Sequence, residues 1–231
     1  MVQQTRAATT EEFMATAAHD LRNPAAVVRA SAQMAQRQLN RGDIASAQAR
    51  LQTIVEQTDR LTEMLESFVD AARIESGHLE VRPERLNLRD LVAIASQSAL
   101  VMVTDKSRRE IAVDVPEACM GAWDRTKTTR AIRALVTNAL LYGDPAVPVQ
   151  IEATRSPSHV SLVITGGGSG PTDDDANRLF ERFFRGRRAA DAEQSGSGLG
   201  LYTARGIARA HGGDVRWLEG DRFQIELPLV D

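Results

Sequence analysis

The run IASAQARLQTIVEQTDRLTEMLESFVDAA (Ile44–Ala72) places Ile44, Ala47, Leu51, Ile54, Thr58, Leu61, Leu65, Phe68 and Ala72 at spacings of three and four with almost no exception. That is the rhythm of a coiled-coil seam along one face of an α-helix. Just before it, Asn40-Arg41-Gly42-Asp43 supplies a turn short enough to send a preceding helix back antiparallel. That helix is expected over residues 10–39. Phe13, Ala17, Leu21, Val28, Ala35 and Leu39 recur at helical spacing, Thr10 offers an N-cap hydroxyl, and Glu11 and Glu12 sit in the favourable first turn. Residues 1–9 are expected as a loose end. One hairpin cannot bury its seam alone, so two copies pairing into a four-helix bundle, a homodimer, is the economical arrangement. An intramolecular helix pair packed on the rest of the chain is the alternative.

Beyond Gly77 the texture changes. Helical patterning is expected over 88–103, 124–142, 173–184 and 200–210, and strands over 110–115, 149–153, 160–165, 215–218 and 223–227, the last two as a hairpin. A charged, Gly/Ser/Ala-rich loop occupies 185–197. Helices and strands mix as in an α+β sandwich, which gives an all-α hairpin over 10–78 and a second domain over 79–231. His78, His159 and His211 show no spacing that suggests a metal cluster and read as structural or surface residues, while Cys119 and Trp123 read as core.

Composition narrows the classes. Of 231 residues, 42% are hydrophobic and 26% charged, enough apolar side chain for a buried core and far from a disordered composition. The net charge of -3 leaves no overall basic field to recruit nucleic acid. A single cysteine cannot form an internal disulfide, and no run is long and apolar enough for a membrane span or secretory signal. The chain reads as cytoplasmic, or as the cytoplasmic part of something larger.

Chemistry-bearing residues fall at both ends. His19 lies about 200 degrees around the helix from Leu21 and the apolar stripe, so its imidazole should face solvent. Asp20 is placed to orient one ring nitrogen or take its proton, leaving the other as a nucleophile near neutral pH. Asn23 shares the face of His19, and Pro24 has no N–H for the Asp20 carbonyl, which loosens that turn. In the second domain, Asn138 and Tyr142 are four apart on one helix face. An amide oxygen suits Mg²⁺ bridging phosphates, and a tyrosine can pack on a base. Gly166, Gly167, Gly168, Ser169 and Gly170 follow a strand and leave room for a ligand's close approach. Arg185, Arg187 and Arg188 are placed to meet phosphate oxygens. Gly196-Ser197-Gly198-Leu199-Gly200-Leu201 opens a helix, whose N–H groups and dipole favour a polyphosphate.

The stretch Glu12-Phe13-Met14-Ala15 leading into His19-Asp20-Leu21-Arg22-Asn23-Pro24 resembles the phospho-acceptor box of sensor histidine kinases. Arg60-Leu61 through Ala72-Arg73-Ile74-Glu75-Ser76-Gly77 is similar to the end of that family's dimerisation hairpin. Asn138-Ala139 resembles its asparagine box, and Leu179-Phe180-Glu181-Arg182-Phe183-Phe184-Arg185 its phenylalanine box. The resemblance covers nearly the whole chain. It implies a gyrase-type ATP-binding sandwich with a lid over about residues 185–197, and ATP and Mg²⁺ as cofactors with Asn138 as the metal ligand. Nucleotide contacts are implied at Asn138, Tyr142, Gly166, Gly168, Gly170, Arg185, Gly196, Gly198, Leu199 and Gly200. His19 is implied as the phosphoryl acceptor, Asp20 as its base or orienting group, and Asn23 as the residue that positions water where a phosphatase activity exists. The receiver domain of a response regulator is the implied partner.

Three positions depart from the resemblance. Gly166 stands where the family has an Asp that accepts the exocyclic amine of adenine, a loss of about 1.5 to 3 kcal/mol, or roughly ten- to hundredfold in ATP affinity, unless another group substitutes. Thr165 is the nearest candidate, water another. Ala134 replaces an earlier Asn, and Leu141 a Lys that commonly reaches the phosphates. The expected function is ATP-dependent autophosphorylation of His19 and transfer to a response-regulator aspartate. The alternative is a non-catalytic dimeric module with a degenerate nucleotide site that docks a partner through its helical stem.

Overall fold

A computed structural model describes residues 2–103, 110–117, 119–186 and 197–229, with the side chains of 2–17, 19 and 173 outside that description. The chain forms two compact units that divide at Val69/Asp70.

In the first unit, helix α1 spans Val2–Asn40 and α2 begins at Ile44. Helix α1 therefore starts eight residues before Thr10. The segment 2–9 holds neither Gly nor Pro, and its Gln, Arg and Ala residues propagate a helix rather than end one. The loose end and the Thr10 cap expected from sequence are both corrected. Between the helices, the N–H groups of Arg41 and Asp43 donate to the Gln38 carbonyl at 3.0 Å, and Gly42 takes φ of 76°, the left-handed residue that closes a helix C-terminus. Asp43 accepts the Ser46 N–H at 3.1 Å and so caps α2. Ser31, Ala35 and Ala47 are buried, small residues that let helices approach, whereas Val27, Met34, Leu39, Ile44, Leu51, Val55 and Leu65 are 43% to 56% exposed.

The second unit begins with the last turns of α2, which ends at Glu75. Asp70 and Arg130 form a buried ion pair, and Glu75 pairs with Arg182. The remaining elements are β1 (Glu84–Asn87), α3 (Leu88–Met102), β2 (Ile111–Asp114), β3 (Met120–Trp123), α4 (Arg125–Tyr142), β4 (Val149–Arg155), β5 (His159–Thr165), the short α5 (Asp173–Ala176), α6 (Gly200–Ala210), β6 (Asp214–Trp217) and β7 (Phe223–Pro228). Strands β1 and β3 pair antiparallel; the other five make a sheet in the order β2-β4-β5-β7-β6, parallel only at β2–β4. Strand β5 alternates strictly, and the register sets Val160 opposite Leu227, Leu162 opposite Ile225 and Ile164 opposite Phe223. These pairs line one buried face. Helices α3, α4 and α6 pack side by side, α4 in the middle, and close a single core over that face. The expected two-layer α+β sandwich is what forms.

Two differences from the sequence expectation have local causes. Strands β1 and β3 have four residues each, too short to show a period; Gly121 gives way to the indole of Trp123, whose Nε1–H donates to the Pro228 carbonyl at 2.9 Å. The helix expected over 173–184 stops at Ala176. Beyond it, three-residue turns such as Arg178 N–H to Asp175 O carry the chain to Phe183, which takes φ of 61°, a conformation no right-handed helix contains.

Asp214 ties α6 to the sheet, accepting from Arg205 Nε at 2.9 Å and Arg209 Nε at 3.0 Å. Burial works against its charge, yet hydrogen bonds from Arg205, Arg209 and its neighbour's N–H hold its pKa down to about 2, from the ordinary 3.8. A carboxyl lowered in the fold adds stability above its ordinary pKa and loses it as pH falls toward the folded value. Acid unfolding profiles of the native protein and Asp214→Asn should therefore converge between about pH 4 and pH 2, with the native form losing more stability across that window.

Candidate functional site

His19, Asp20 and Asn23 lie on α1, which continues through Pro24 as one helix. Asp20 is half-buried, Asn23 exposed and Pro24 buried. The His19 side chain lies outside the described ones, but its backbone position puts Asn23 one turn further along the helix.

In the second unit the candidate residues converge around the C-terminal half of α4. Asp124 starts that helix, accepting the Lys127 N–H at 3.0 Å and the Arg82 N–H at 3.0 Å, while its own N–H donates to Nε2 of His211. His211 thus has a structural place, as its sequence context implied. One turn before Asn138, Ala134 faces the start of α6: its Cβ is 3.7 Å from where a Cβ on Gly200 would stand. Asn138 is half-buried, and its side-chain amide meets no hydrogen-bond partner among the described residues. Tyr142 is 39% exposed. Burial still pushes its hydroxyl pKa up, and the Arg185 guanidinium pulls the other way, so these two expected nucleotide contacts act on one another.

Helix α6 opens without a side-chain cap. Its N-cap, Leu199, is buried, and Thr203 turns back on the Leu199 carbonyl at 2.8 Å. The N–H groups of the first turn are left to solvent or a ligand. Gly198, at φ of 66°, lies so close to Phe183 that a Cβ would come within 2.6 Å of its carbonyl carbon, and the Phe183 N–H donates to the Gly198 carbonyl at 3.1 Å. The phenylalanine segment is therefore stitched to the second glycine segment. Two cation–π contacts hold its rings, Arg205 over Phe180 at 4.7 Å and Arg178 over Phe184 at 4.6 Å. Gly196, Arg187 and Arg188 lie outside the described residues.

The first glycine turn is gripped from two sides. Toward α4, the Asp144 N–H donates to the Gly166 carbonyl at 3.0 Å, and a Cβ on Gly166 would sit 2.5 Å from the Ala139 carbonyl oxygen. A Cβ on Gly168 would sit 2.7 Å from the Tyr142 carbonyl oxygen. On the other side stands Asp221, in the turn between β6 and β7. Its Oδ1 accepts the Thr165 hydroxyl at 2.8 Å, and its Oδ2 accepts the N–H groups of Gly166 at 2.6 Å and Gly168 at 2.9 Å. Sequence reading passed over Asp221, because Asp221-Arg222 between two strands reads only as turn residues and no local spacing links it to a segment more than fifty residues upstream.

Two family models match the chain in the same order as these units. Residues 9–77 match the His Kinase A (phospho-acceptor) domain, and residues 123–231 match the histidine kinase-, DNA gyrase B- and HSP90-like ATPase domain. The chain belongs to the sensor histidine kinases. It is 29% identical to the sensor-like histidine kinase SenX3 of Mycobacterium tuberculosis, over 95% of this chain and 54% of the relative, and 28% identical to the signal transduction histidine-protein kinase BaeS of Escherichia coli, over 94% and 46%. The chain thus spans about half the length of the curated relatives it matches. Among solved structures it is similar to the histidine kinase AdeS of Acinetobacter baumannii, with a TM-score of 0.62 and 20% identity over 92% of this chain and 98% of that one. No described helix is long and apolar enough to cross a membrane.

An ATPase-family domain implies ATP, and the residues present suit it. The uncapped α6 N-terminus presents N–H donors of the kind a polyphosphate needs, and the unpartnered Asn138 amide oxygen suits Mg²⁺, which keeps most of its waters and takes few protein ligands. No cluster of His, Cys, Asp or Glu that could hold a metal occurs among the described residues.

Proposed function

We propose that the chain phosphorylates its own His19 from ATP and passes the phosphoryl group to an aspartate in the receiver domain of a response regulator, acting as a homodimer joined through the helical hairpins. The observation that carries this reading is the pairing, in one chain, of the His19-Asp20-Leu21-Arg22-Asn23-Pro24 box on α1 with an uncapped α6 N-terminus facing α4. ATP supplies the γ-phosphoryl group, with Mg²⁺ spreading the phosphate charge. The α6 N–H groups bind the polyphosphate, Asn138 holds the metal, Arg185 meets phosphate oxygens and Tyr142 packs on the base. Asp20 orients the His19 imidazole and takes its proton as the new N–P bond forms and the bond from the γ-phosphorus to the β–γ bridging oxygen breaks, with ADP as the leaving group. Asn23, exposed beside them, is the amide that would position water for a phosphatase reaction. Dimerisation is supported by the exposed apolar residues of the first unit, from Val27 to Leu65, which a second hairpin would cover.

The experiment is incubation with γ-labelled ATP and Mg²⁺. Label that is lost in acid and survives alkali, and that moves to a receiver domain added afterwards, is the expected result. Hydrolysis of ATP with no protein-bound label would point instead to a simple ATPase. A second reading, the non-catalytic docking module, rests on Gly166, where the backbone leaves no room for the usual carboxylate side chain. Absence of both label and nucleotide binding would favour it.

A further inference from the structure

We propose that Asp221 is a positioning residue of the nucleotide site: it fills the anion-binding nest of the Thr165–Gly170 turn and so reserves that turn for the base while phosphates go to α6. This rests on the reading of the second unit as an ATP site. Four of the five residues from Gly166 to Gly170 are glycine, so the turn has almost no side chain to fix its own shape, and glycine's freedom must be restrained from outside. Asp221 does so with three hydrogen bonds, to Thr165, Gly166 and Gly168. The adjacent Gly220 adds a steric stop, since a Cβ on Gly170 would lie 1.5 Å from the Gly220 carbonyl oxygen. The hairpin turn that carries both is itself braced, by Trp217 Nε1–H to the Gly220 carbonyl at 2.8 Å and by Leu218 N–H to the Arg222 carbonyl at 3.0 Å.

The chemistry of the contact matters as much as its stiffness. Successive N–H groups converging beside a left-handed residue, here Gly166 and Gly168 around Gly167 at φ of 75°, make a concavity that attracts anions. With Asp221 in it, that concavity already holds a carboxylate and its charge repels a phosphate. The first turn of α6, which has no side-chain cap among the described residues, then offers the phosphates its backbone donors, and the nucleotide lies with its base toward the glycine turn. Gly166 contributes through its backbone, while the side-chain carboxylate at this end of the site comes from a different strand connection.

The test compares affinities for ATP and inorganic tripolyphosphate in the full chain, for the unchanged protein, Asp221→Ala and Asp221→Asn, with a melting curve for each. Emptying the nest should reduce the preference for ATP over tripolyphosphate by roughly tenfold in Asp221→Ala, as a charged hydrogen-bond set is lost and a phosphate can enter. Asp221→Asn should recover most of the preference, because its amide oxygen can accept both glycine N–H groups while its NH₂ donates to the Thr165 hydroxyl. A merely structural residue would lower both affinities together. An unchanged preference in folded Asp221→Ala overturns the inference, as does a loss in Asp221→Asn equal to that in Asp221→Ala. Should Asp221→Ala not fold, Asp221→Asn decides alone: near-native preference supports the inference and its loss refutes it. Failure of the unchanged protein to bind ATP would overturn the nucleotide-site reading itself, and this inference with it.

Discussion

Replacing His19 with glutamine should abolish protein-bound phosphate while leaving the helix, the dimer and ATP binding intact. Glutamine is at least as good a helix former as histidine, and α1 runs on for twenty-one residues beyond position 19, so the hairpin has no reason to change. What disappears is the nucleophile. An imidazole nitrogen carries a lone pair at neutral pH, whereas an amide nitrogen has given its pair to the carbonyl and cannot attack phosphorus. The loss should therefore be complete, with label falling to background in the acid-lability assay. Asp20→Asn should act more mildly, lowering the labelling rate by about a hundredfold, the lower range for removing a general base. Sedimentation and far-ultraviolet circular dichroism check that His19→Gln remains dimeric and helical. Label persisting at native levels in His19→Gln would move the acceptor elsewhere on the chain.

Legibility in the sequence followed the length of each signal. The hairpin could be read because its seam repeats over many turns, and Gly42 marks the one place where the chain must reverse. Helix α6 was read to its bounds, Gly200–Ala210, since glycines precede it and its apolar positions recur at helical spacing. Helix α4 was read to within a residue because Asp124 is a capping side chain. The failures are of two kinds. Strands β1 and β3 are stabilised by partners about forty residues apart and by one indole, so nothing local announces them. The segment after Ala176 has a helical composition, but Leu179, Phe180 and Phe184 pack against the core, Arg205 of α6 covers Phe180, and Phe183 turns the chain toward Gly198. Tertiary contacts override propensity there. The same limit hid Asp221. Sequence could show that a carboxylate is missing at Gly166, but only the fold shows another arriving from the β6–β7 turn.

Restoring a carboxylate at Gly166 should harm the protein rather than repair it. Gly166→Asp would place a Cβ 2.5 Å from the Ala139 carbonyl oxygen and 3.1 Å from the Gly143 Cα. Both obstacles are backbone, at the end of a helix whose C-cap N–H is itself bonded to Ala139, so neither can move aside as a flexible side chain would. The reverse side offers no relief, because Asp221 already sits there with its own negative charge. The turn must separate from α4 or from the β6–β7 turn, breaking the Asp144–Gly166 bond or the Asp221 contacts. Overpacking of this kind costs about 3 kcal/mol, which for a chain of this size lowers the melting temperature by roughly 6 to 12 °C. Two like charges converging on one turn would add to that, and ATP affinity should fall along with stability. Differential scanning calorimetry with a parallel ATP titration makes the comparison. Tighter ATP binding at an undiminished melting temperature would show that α4 and the glycine turn part without cost, and that Gly166 is a simple loss from an otherwise ordinary site. The expected result, a less stable protein with weaker nucleotide binding, would mean that the glycine and Asp221 form one matched arrangement, in which the backbone closes where the usual side chain would be and the carboxylate enters from the far side.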